Sequence, residues 1–592
     1  MSTPVLRFAL ILLAGCASTT AVLGQNTSKP GFDGPAELPR VYIKTALADA
    51  PAPGKVVAVK AGSDLQAALD SANCGDTLAL EAGATFSGRI KFPKKPCDDK
   101  HWIVVRTSAP NEALPPEGTR MTPCYAGVAS LPGRPDFHCT TTRNVLAKIT
   151  FSIKSGIGPI LFMDGANHYR LIGLEVTRDA NGGNIGALAA PDGQVAADHI
   201  IFDRLWMHGN ANDETTRGVY LSGTTYMAVI DSYLSDFHCA QRGFCSDAQT
   251  ISGAAGSLPM GPYKIVNNFL EASGENILLG GAAATMTPAD IEIRRNHLFK
   301  PMTWMKGEPG FVGSAAGNPF IVKNHFELKN AQRVLFEANI LENSWGGFSQ
   351  PGFSIVLTPK NQSNGPGKSN LCPLCKVTDI TIRDCKISHV GSGISIANVP
   401  AATGETASAG ERYSIHNVSI EDIDGKRYFG YGVFLALLSN EPVLKDVSID
   451  HVTAFGQRVF INLGVRGPKI EDFKFINNLV SYGERGITSS GGGQENCAFQ
   501  VDRRGMDGVL KDCFQSSTFT NNVIVGGGGG WPAGNFAPRD FQAAGMVAGQ
   551  ARLCTGKDAG CKGSSQFAQA GTDKKAIGAD DAAIDAATAG VQ

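Results

Sequence analysis

The sequence predicts an all-β protein, a single-stranded right-handed parallel β-helix, on three observations. A short unit returns along the chain, in which Asn follows an apolar residue by three positions and precedes another by two. Of 592 residues, 70 are Gly and only 18% are charged, as expected where short strands alternate with tight turns. A helical segment followed by an alternating strand near the N-terminus fits the cap that such a solenoid needs.

The repeated unit is clearest between residues 262 and 345, where the Asn of successive copies are 28 and then 43 residues apart. Each copy places apolar residues on both sides of its central position. Because buried amides must be hydrogen-bonded, we expect the Asn to form a ladder from coil to coil. The copies with Asn are Ile265-Asn268-Leu270, Ile293-Asn296-Leu298, Phe336-Asn339-Leu341, Phe475-Asn478-Val480 and Phe519-Asn522-Ile524; those centred on other residues begin at Ile201, Val229 and Ile382.

The N-terminal cap is predicted from a helix starting at Asp64, with that Asp as N-cap, followed by the strand around Leu78 and Leu80. With this start and with the Asn repeat, the chain resembles the pectin-lyase-like superfamily of parallel β-helix proteins. The resemblance implies a bacterial, exported, carbohydrate-active protein, and related β-helix lyases commonly use Lys or Arg in catalysis, often with calcium.

Four regions are expected along the chain. Residues 1–24 form a targeting segment, since Arg7 precedes an apolar run too short to span a bilayer. Its end at Cys16 resembles a bacterial lipobox, which would give a lipid-anchored periplasmic or outer-membrane lipoprotein; cleavage after Gly24 and secretion is the alternative. Residues 25–57 are expected to form a linker or arm, 58–525 the β-helix with long loop insertions, and 526–592 a capping tail whose short Ala-rich helix covers the last coil.

Cysteine usage agrees with export. Apart from Cys16, thirteen Cys remain, and twelve of them fall into close pairs in the sequence. Disulfides in an oxidising compartment are the expected explanation, with zinc binding by Cys372 and Cys375 as the weaker alternative. The pairs are 74/97, 124/139, 239/245, 372/375, 497/513 and 554/561, and Cys385 is left as a buried free thiol.

The candidate site is the segment Ile321–Lys329. Alternation along a strand would place Lys323, His325, Glu327 and Lys329 outward in a row, at about 6.6–6.8 Å per pair of residues, which suits successive sugar units. Between residues 291 and 335 seven Lys and Arg stand against three Glu, in a chain of net charge −1. Such a local excess of positive charge attracts anions.

Elimination from an acidic polysaccharide is the chemistry that suits this surface. Lys329 or Lys323 is the candidate base, once its pKa is lowered by burial or by other cations. Arg294 or Arg295 would neutralise the uronate carboxylate, and the row of Arg294, Glu337 and Arg383 on consecutive coils would add binding groups. Trp304 and Trp345 are candidates either for sugar stacking or for loop anchoring.

Calcium is the cofactor that the resemblance implies. The acidic pair that precedes the base Lys in one calcium-dependent branch of the superfamily is absent, because Val322 and Asn324 stand at those positions. Asp247, Glu271 and Glu275 form a weaker set of oxygen ligands.

Two alternatives stay open. The Lys and Glu row would equally suit a solvated face, and the protein would then be a non-catalytic glycan-binding scaffold or adhesin. A glycoside hydrolase would need a pair of carboxylates, and the sequence lacks the Gly-His-Gly motif of polygalacturonases. No phosphate loop or dinucleotide fingerprint occurs, and we expect a monomer with no nucleic-acid partner.

Overall fold

The computed structural model describes residues 31–349, 351–360, 372–398, 407–500, 505–558, 561 and 563–592. It shows a parallel β-helix, so the fold class predicted from the Asn repeat and from the resemblance to the pectin-lyase-like superfamily is confirmed. Connections between parallel strands of one sheet are nearly always right-handed, which is the hand predicted for this solenoid. The predicted targeting segment, with Cys16, lies outside the described residues. Among the described helices, none has the length and apolar character to cross a membrane.

The elements are, in chain order, β1 (Phe32–Asp33), β2 (Ala36–Glu37), β3 (Val56–Val59), α1 (Leu65–Ser71), β4 (Thr77–Leu80), β5 (Thr85–Ser87), β6 (Ile90–Phe92), β7 (Ile103–Thr107), β8 (Ala147–Thr150), β9 (Ser155–Phe162), β10 (Ala166–Ile172), β11 (Leu174–Thr177), β12 (Asn184–Pro191), β13 (Ala197–Asp203), β14 (Trp206–His208), β15 (Glu214–Thr215), β16 (Arg217–Tyr220), β17 (Thr224–Ile230), β18 (Tyr233–Phe237), β19 (Gln249–Gly253), β20 (Tyr263–Val266), β21 (Phe269–Ala272), β22 (Glu275–Leu279), β23 (Ala289–Arg294), β24 (His297–Phe299), β25 (Asn324–Leu328), β26 (Ala331–Glu337), β27 (Ile340–Ser344), β28 (Phe353–Leu357), β29 (Lys376–Val390), β30 (Ser392–Asn398), β31 (Ala409–Ile423), β32 (Val433–Ser439), β33 (Lys445–Ala454), β34 (Val459–Val465), β35 (Glu471–Ile476), β36 (Leu479–Ser481), β37 (Gly486–Ser489), α2 (Gly505–Cys513), β38 (Ser517–Thr520), β39 (Val523–Val525) and α3 (Asp581–Ala587).

Each coil contributes to two sheets. A 13-stranded sheet takes one strand from each coil, in the order β6-β9-β12-β16-β19-β22-β25-β28-β30-β32-β34-β37, with β15 paired beside β12. A 24-stranded sheet takes two short strands from a coil, or one long strand such as β29 that bends in its middle. Between the two sheets the apolar columns of successive coils form one continuous core.

The inward column predicted from the repeat is confirmed. Ile265, Ile293, Phe336 and Ile382 are register partners on β20, β23, β26 and β29, and Phe475 continues the column on β35. All five side chains are at most 1% exposed. The hydrophobic free energy of this core therefore comes from contacts between neighbouring coils.

The Asn ladder is also confirmed. The Asn296 carboxamide oxygen accepts from the Asn268 backbone N–H at 3.0 Å, and its Nδ2 donates to the Ile265 carbonyl at 2.9 Å. Asn339 repeats the contact one coil further on, at 2.9 Å from the Asn296 N–H. The ladder stops at Cys385 and resumes at Asn478, whose backbone N–H donates to Asn522 Oδ1 at 2.9 Å.

We expect Asn296→Leu to lower the free energy of unfolding by about 1–3 kcal/mol, because backbone groups of two coils would lose buried partners. Urea unfolding followed by circular dichroism measures the change. Asn73→Leu, at an exposed Asn, is the control and should stay within about 0.5 kcal/mol of the wild type. Equal destabilisation by the two substitutions would show that the ladder contributes nothing specific.

The two ends of the solenoid are covered differently. At the start, α1 packs Leu65 and Leu69 onto the first coil, and the Asp64 carboxylate caps it by accepting from the Ala67 N–H at 3.0 Å, as predicted. At the other end, Trp531 stacks on Phe519 with ring centroids 5.9 Å apart.

The expectation that the Ala-rich helix covers the last coil is wrong. Helix α3 lies against β29 and β31 in the middle of the solenoid. Arg295 donates to the Ala587 carbonyl and, at 2.6 Å, to the Ala589 carbonyl, and Arg120 reaches the Val591 carbonyl at 2.6 Å. The polar groups at the end of the helix attract these guanidinium groups.

The N-terminal arm meets the same middle coils. Asp33 pairs with Arg383 at 2.7 Å and with His416 at 2.9 Å, across 350 and 383 residues of sequence. Segments near both ends of the described chain therefore bind to β29, β31 and their neighbours.

The six predicted disulfides are all present, including the Cys372–Cys375 bridge for which zinc was the alternative. Cys385 is a free, fully buried thiol, as expected. Burial raises the pKa of this thiol, which keeps it protonated and unreactive.

Candidate functional site

The candidate site lies on the outer face of the 13-stranded sheet, where β19, β22 and β25 are neighbours. Gln249, Glu275 and Asn324 are register partners at the starts of these strands. Gln249 Nε2 donates to Glu275 Oε2 at 2.9 Å, and Asn324 Nδ2 donates to Glu327 Oε2 at 2.8 Å. The stacking of coils thus joins residues that are far apart in sequence into one polar network.

Two lysines complete this network. Lys329 Nζ lies 3.1 Å from Glu327 Oε1, and Lys323 Nζ lies 3.4 Å from Glu275 Oε1. Lys323 also contacts the carboxylate of Asp247. We call the seven residues Asp247, Gln249, Glu275, Lys323, Asn324, Glu327 and Lys329 the lysine–glutamate cluster.

The cluster is recessed rather than solvated. Glu275 is fully buried and Glu327 is 1% exposed, while the side chains of Lys323 and Lys329 keep 11% and 16% of their surface. Buried charges persist only when they are paired, and here each carboxylate has an ammonium or amide partner. The solvated-face alternative is therefore wrong for these residues.

The predicted outward row of four is broken at His325. This imidazole is fully buried, with Nδ1 2.9 Å from Ser354 Oγ and Nε2 3.0 Å from the Glu342 carbonyl oxygen. Strict alternation would place Asn324 inward, but its side chain donates a hydrogen bond to Glu327 in the cluster. Strict alternation fails because His325 and Phe326 both pack inside, so His325 is not a residue of the outer face.

The two glutamates of the cluster titrate in opposite directions. Burial, and then the charge of Glu327, raises the pKa of Glu275 to about 7. Burial alone would raise the pKa of Glu327 as well, but Lys329 and the bond from Asn324 outweigh it and lower the pKa below the ordinary value. Near neutral pH Glu275 is therefore protonated in about half of the molecules, while Glu327 beside it is a carboxylate.

The two lysines also differ. Burial, and then repulsion from Lys329, lowers the pKa of Lys323 to about 8. Burial would lower the pKa of Lys329 too, but Glu327 and Glu275 raise it above the ordinary value. Lys329 is thus a permanent positive charge, and Lys323 is an amine that exchanges its proton near neutral pH.

A cavity of about 470 Å³ opens beside Val322, the residue before Lys323. Loop segments around residues 304–306, 318–320 and 345–347 form its walls, with the exposed ring of Phe429 at one side. The ring of Phe348, which is also exposed, lies 5.9 Å from Lys323 Nζ. Arg242 and Lys306 line the cavity and add positive charge to its aromatic walls.

Trp304 and Trp345 both line this cavity, although they are 1% and 5% exposed. Trp304 packs edge-to-face against His238, with ring centroids 5.5 Å apart, and the guanidinium of Arg134 lies 5.5 Å from its ring. These contacts anchor the wall of the cavity and leave little of either ring for a sugar.

The predicted binding groups Arg294, Glu337 and Arg383 lie elsewhere, on the 24-stranded sheet. Arg294 and Arg383 both pair with Glu337, and Arg383 also pairs with Asp33 of the N-terminal arm. Arg295 holds the C-terminal segment. The prediction that these residues bind a substrate at the lysine–glutamate cluster is therefore wrong, because they bind other parts of this chain.

Most of the positively charged side chains between residues 291 and 335 are buried or form ion pairs within the protein. Arg333 pairs with Asp290 at 2.7 Å, and Lys300 is fully buried. Only Lys323, Lys329 and Lys306 of that group reach the cluster or the cavity.

Lys300 is a structural residue of the site that no sequence pattern predicts. Its ammonium donates to the carbonyls of Ala272 and Gly274, both at 2.8 Å, and to Asn276 Oδ1 at 3.0 Å. It contacts the Ser273 carbonyl at 3.2 Å as well. Lys300 thus clamps the turn directly before Glu275, and no sequence pattern marks it, because its partners are 24–28 residues away.

Calcium does not fit the set Asp247, Glu271 and Glu275. Glu271 is held by Arg134, with two nitrogen–oxygen distances of 2.7 Å. The ammonium of Lys323 occupies the position between Asp247 and Glu275 where a cation would bind. The three carboxylates therefore already have protein cations as partners.

Comparison with known proteins gives structural similarity only. No family model matches the chain, and no curated protein sequence matches it. An alginate lyase from Paenibacillus sp. strain FPU-7 is similar at 12% identity and a TM-score of 0.28, covering 74% of this chain and 98% of that one.

Two further structures have comparable values. A PL6 family polysaccharide lyase from Pseudopedobacter saltans aligns at 12% identity and a TM-score of 0.36, covering 82% of this chain and 92% of its own. An exopolygalacturonase of family 28 from Yersinia enterocolitica aligns at 10% and 0.28, covering 81% and 79%. At these values the comparisons assign no residue and no activity.

Proposed function

We propose that the protein cleaves an acidic polysaccharide by β-elimination at the lysine–glutamate cluster. The observation that carries the proposal is the pair of dissimilar lysines on the outer face: Lys329 stays charged, and Lys323 has a pKa of about 8. The adjoining cavity, with aromatic and basic walls, supports the binding of an anionic glycan.

The proposed reaction uses three side chains. Lys329 neutralises the uronate carboxylate, which stabilises the carbanion that develops at C5. Neutral Lys323 takes the C5 proton, the electron pair forms the C4–C5 double bond, and the C4–O bond breaks. Glu275, with a pKa of about 7, gives its proton to the departing oxygen. The proton on Lys323 can then return to Glu275 across 3.4 Å.

Hydrolysis is the second candidate, and the opposite pKa shifts of Glu275 and Glu327 favour it. A protonated carboxyl next to a carboxylate is the arrangement that glycoside hydrolases use. In the cluster, however, Glu327 is engaged by both Lys329 and Asn324, which leaves it a weak nucleophile.

The six disulfides support an exported protein, because such bonds persist in oxidising compartments. Export also brings the cluster to polysaccharides outside the cell. Secretion and lipid anchoring at Cys16 remain the two proposed forms, and a monomer is the proposed state.

The test is a screen of polygalacturonate, alginate and glycosaminoglycans with the disulfide-intact protein. Elimination produces unsaturated uronates, which absorb in the ultraviolet, together with new reducing ends. New reducing ends without that absorbance would establish hydrolysis instead. Binding that weakens with salt, without any product, would support the glycan-binding scaffold. If the protein neither binds nor cleaves any of these polysaccharides, the lyase, hydrolase and scaffold assignments are all overturned.

A further inference from the structure

A second cluster of side chains lies on the 24-stranded sheet, among the first coils and away from the lysine–glutamate cluster. His168 on β10 and His199 on β13 occupy equivalent corners of neighbouring coils, since their flanking residues are register partners. Both have left-handed backbone conformations, with φ of 56° and 51°. Their imidazole rings are parallel, with centroids 4.4 Å apart.

The hydrogen bonds of the two rings fix which nitrogen carries the proton. Asn167 Nδ2 donates to the carbonyls of Lys95 and Gly165, at 3.0 and 2.9 Å, so its oxygen faces His168. That oxygen is 2.8 Å from His168 Nδ1, which must therefore donate.

The same holds for His199. Its Nδ1 lies 2.5 Å from Oδ1 of Asp198, and a carboxylate only accepts. The neutral rings therefore carry their lone pairs on Nε2, as metal-binding histidines do when a second group holds the other nitrogen.

Both Nε2 atoms converge on Asp99. Its Oδ1 is 3.2 Å from Nε2 of His168 and 3.9 Å from Nε2 of His199. Three acceptor atoms thus face one another within 4.8 Å, with no donor among them. A cation placed between them would satisfy all three.

We propose that Asp99, His168 and His199 bind one divalent transition-metal ion, zinc in the first place. Two imidazole nitrogens and one carboxylate oxygen suit zinc, nickel or copper rather than calcium or magnesium. Asp99 is 83% exposed, so water can complete the coordination. Since a shared zinc lies about 2.0–2.1 Å from each nitrogen, binding tilts the two parallel rings towards each other.

The ion would join three separate parts of the chain. Asp99 belongs to the loop after Cys97, which is bridged to Cys74, and the two histidines belong to successive coils. Bound zinc would therefore fix this loop against the side of the solenoid, and would stabilise the folded state because the unfolded chain does not assemble the site.

Zinc titration of the chelator-treated, disulfide-intact full chain by isothermal calorimetry tests the proposal. We expect one zinc per chain, with affinity at least about tenfold lower in Asp99→Asn and in His199→Ala. Asp99 is exposed, so its substitution leaves folding intact. His138→Ala, at a side chain that is 89% exposed, is the matched control and should bind like the wild type.

A second readout reports the position of the ion. The Trp102 ring lies 5.0 Å from His168 and 6.2 Å from His199, so copper at the site should quench its fluorescence. The quenching should be lost in Trp102→Phe and in Asp99→Asn. The proposal is overturned if the wild type binds no zinc, or if Asp99→Asn and His199→Ala bind zinc as strongly as the wild type. Protonated imidazoles would then be the partners of Asp99.

Discussion

We expect Lys323→Ala to lower the turnover number of the proposed elimination by about 10²–10⁴-fold, the usual contribution of a general base. Lys323→Arg should be nearly as inactive, because Arg stays protonated at every accessible pH. At Lys329 the order is reversed: Lys329→Arg keeps the positive charge and retains more activity than Lys329→Met. Initial rates of ultraviolet absorbance measure all four variants.

The control for these variants is Lys474→Ala, at an exposed lysine of β35 on the other sheet. It should leave turnover unchanged. A Lys323→Arg protein with wild-type turnover would remove Lys323 from the role of base. Because Lys323 and Lys329 both contact buried glutamates, circular dichroism must show that each variant is folded.

The pH profile gives an independent check. The proposed reaction needs neutral Lys323, whose pKa is about 8, and protonated Glu275, whose pKa is about 7. Rising pH deprotonates both, which helps the base and removes the acid. The turnover number should therefore follow a bell with its maximum between these two values. In Glu275→Gln the fall of the turnover number at alkaline pH should disappear. A pH profile unchanged by that substitution would contradict the role of Glu275 as the acid.

Lys300→Met is expected to have the largest effect on stability, a loss of more than about 3 kcal/mol in the free energy of unfolding. The substitution leaves the carbonyls of Ala272 and Gly274 and the oxygen of Asn276 buried without a donor, at about 1–3 kcal/mol each. Urea unfolding measures the loss.

Lys306→Met, at an exposed lysine of the following loop, is the matched control and should change stability by about 0.5 kcal/mol or less. If the two variants unfold at the same urea concentration, water has replaced the ammonium of Lys300 at little cost. Lys300→Met should also lower turnover in the folded protein, since the turn that it releases ends at Glu275.

The fold was predictable because its signal repeats. Ile265, Ile293 and Phe336 occupy equivalent positions in successive coils, and each copy of the pattern supports the others. The Asn ladder follows from the same repetition together with the need to pair buried amides.

The site was only partly predictable because its contacts are not periodic. Lys323 and Lys329 were found from local alternation, but alternation fails between them, at His325, where the strand places two consecutive side chains inside. The partner of Lys323 is Glu275, 48 residues earlier in the chain, and only the stacking of coils brings the two together. Ion pairs between coils carry no local sequence signal.

The function of Arg294 and Arg383 was mistaken for a related reason. Arg294 lies in a positively charged stretch and Arg383 continues its column on a later coil, which suggested an anionic substrate. Their partner Glu337 is on a neighbouring coil, and the second partner of Arg383, Asp33, is 350 residues away. A count of charges along the sequence cannot distinguish a cation that awaits a ligand from one that already has a carboxylate of the same chain.

The binding of the N-terminal arm and of the C-terminal segment to the middle coils has a consequence for biosynthesis. Most coils contact only their neighbours and can form in order as the chain emerges. The contacts of Arg120 and Arg295 with residues 587–591, however, form only after the chain has been synthesised beyond those residues. A chain that terminates early would therefore keep these guanidinium groups and the outer side of β29 uncovered, a feature that proteases and chaperones can recognise.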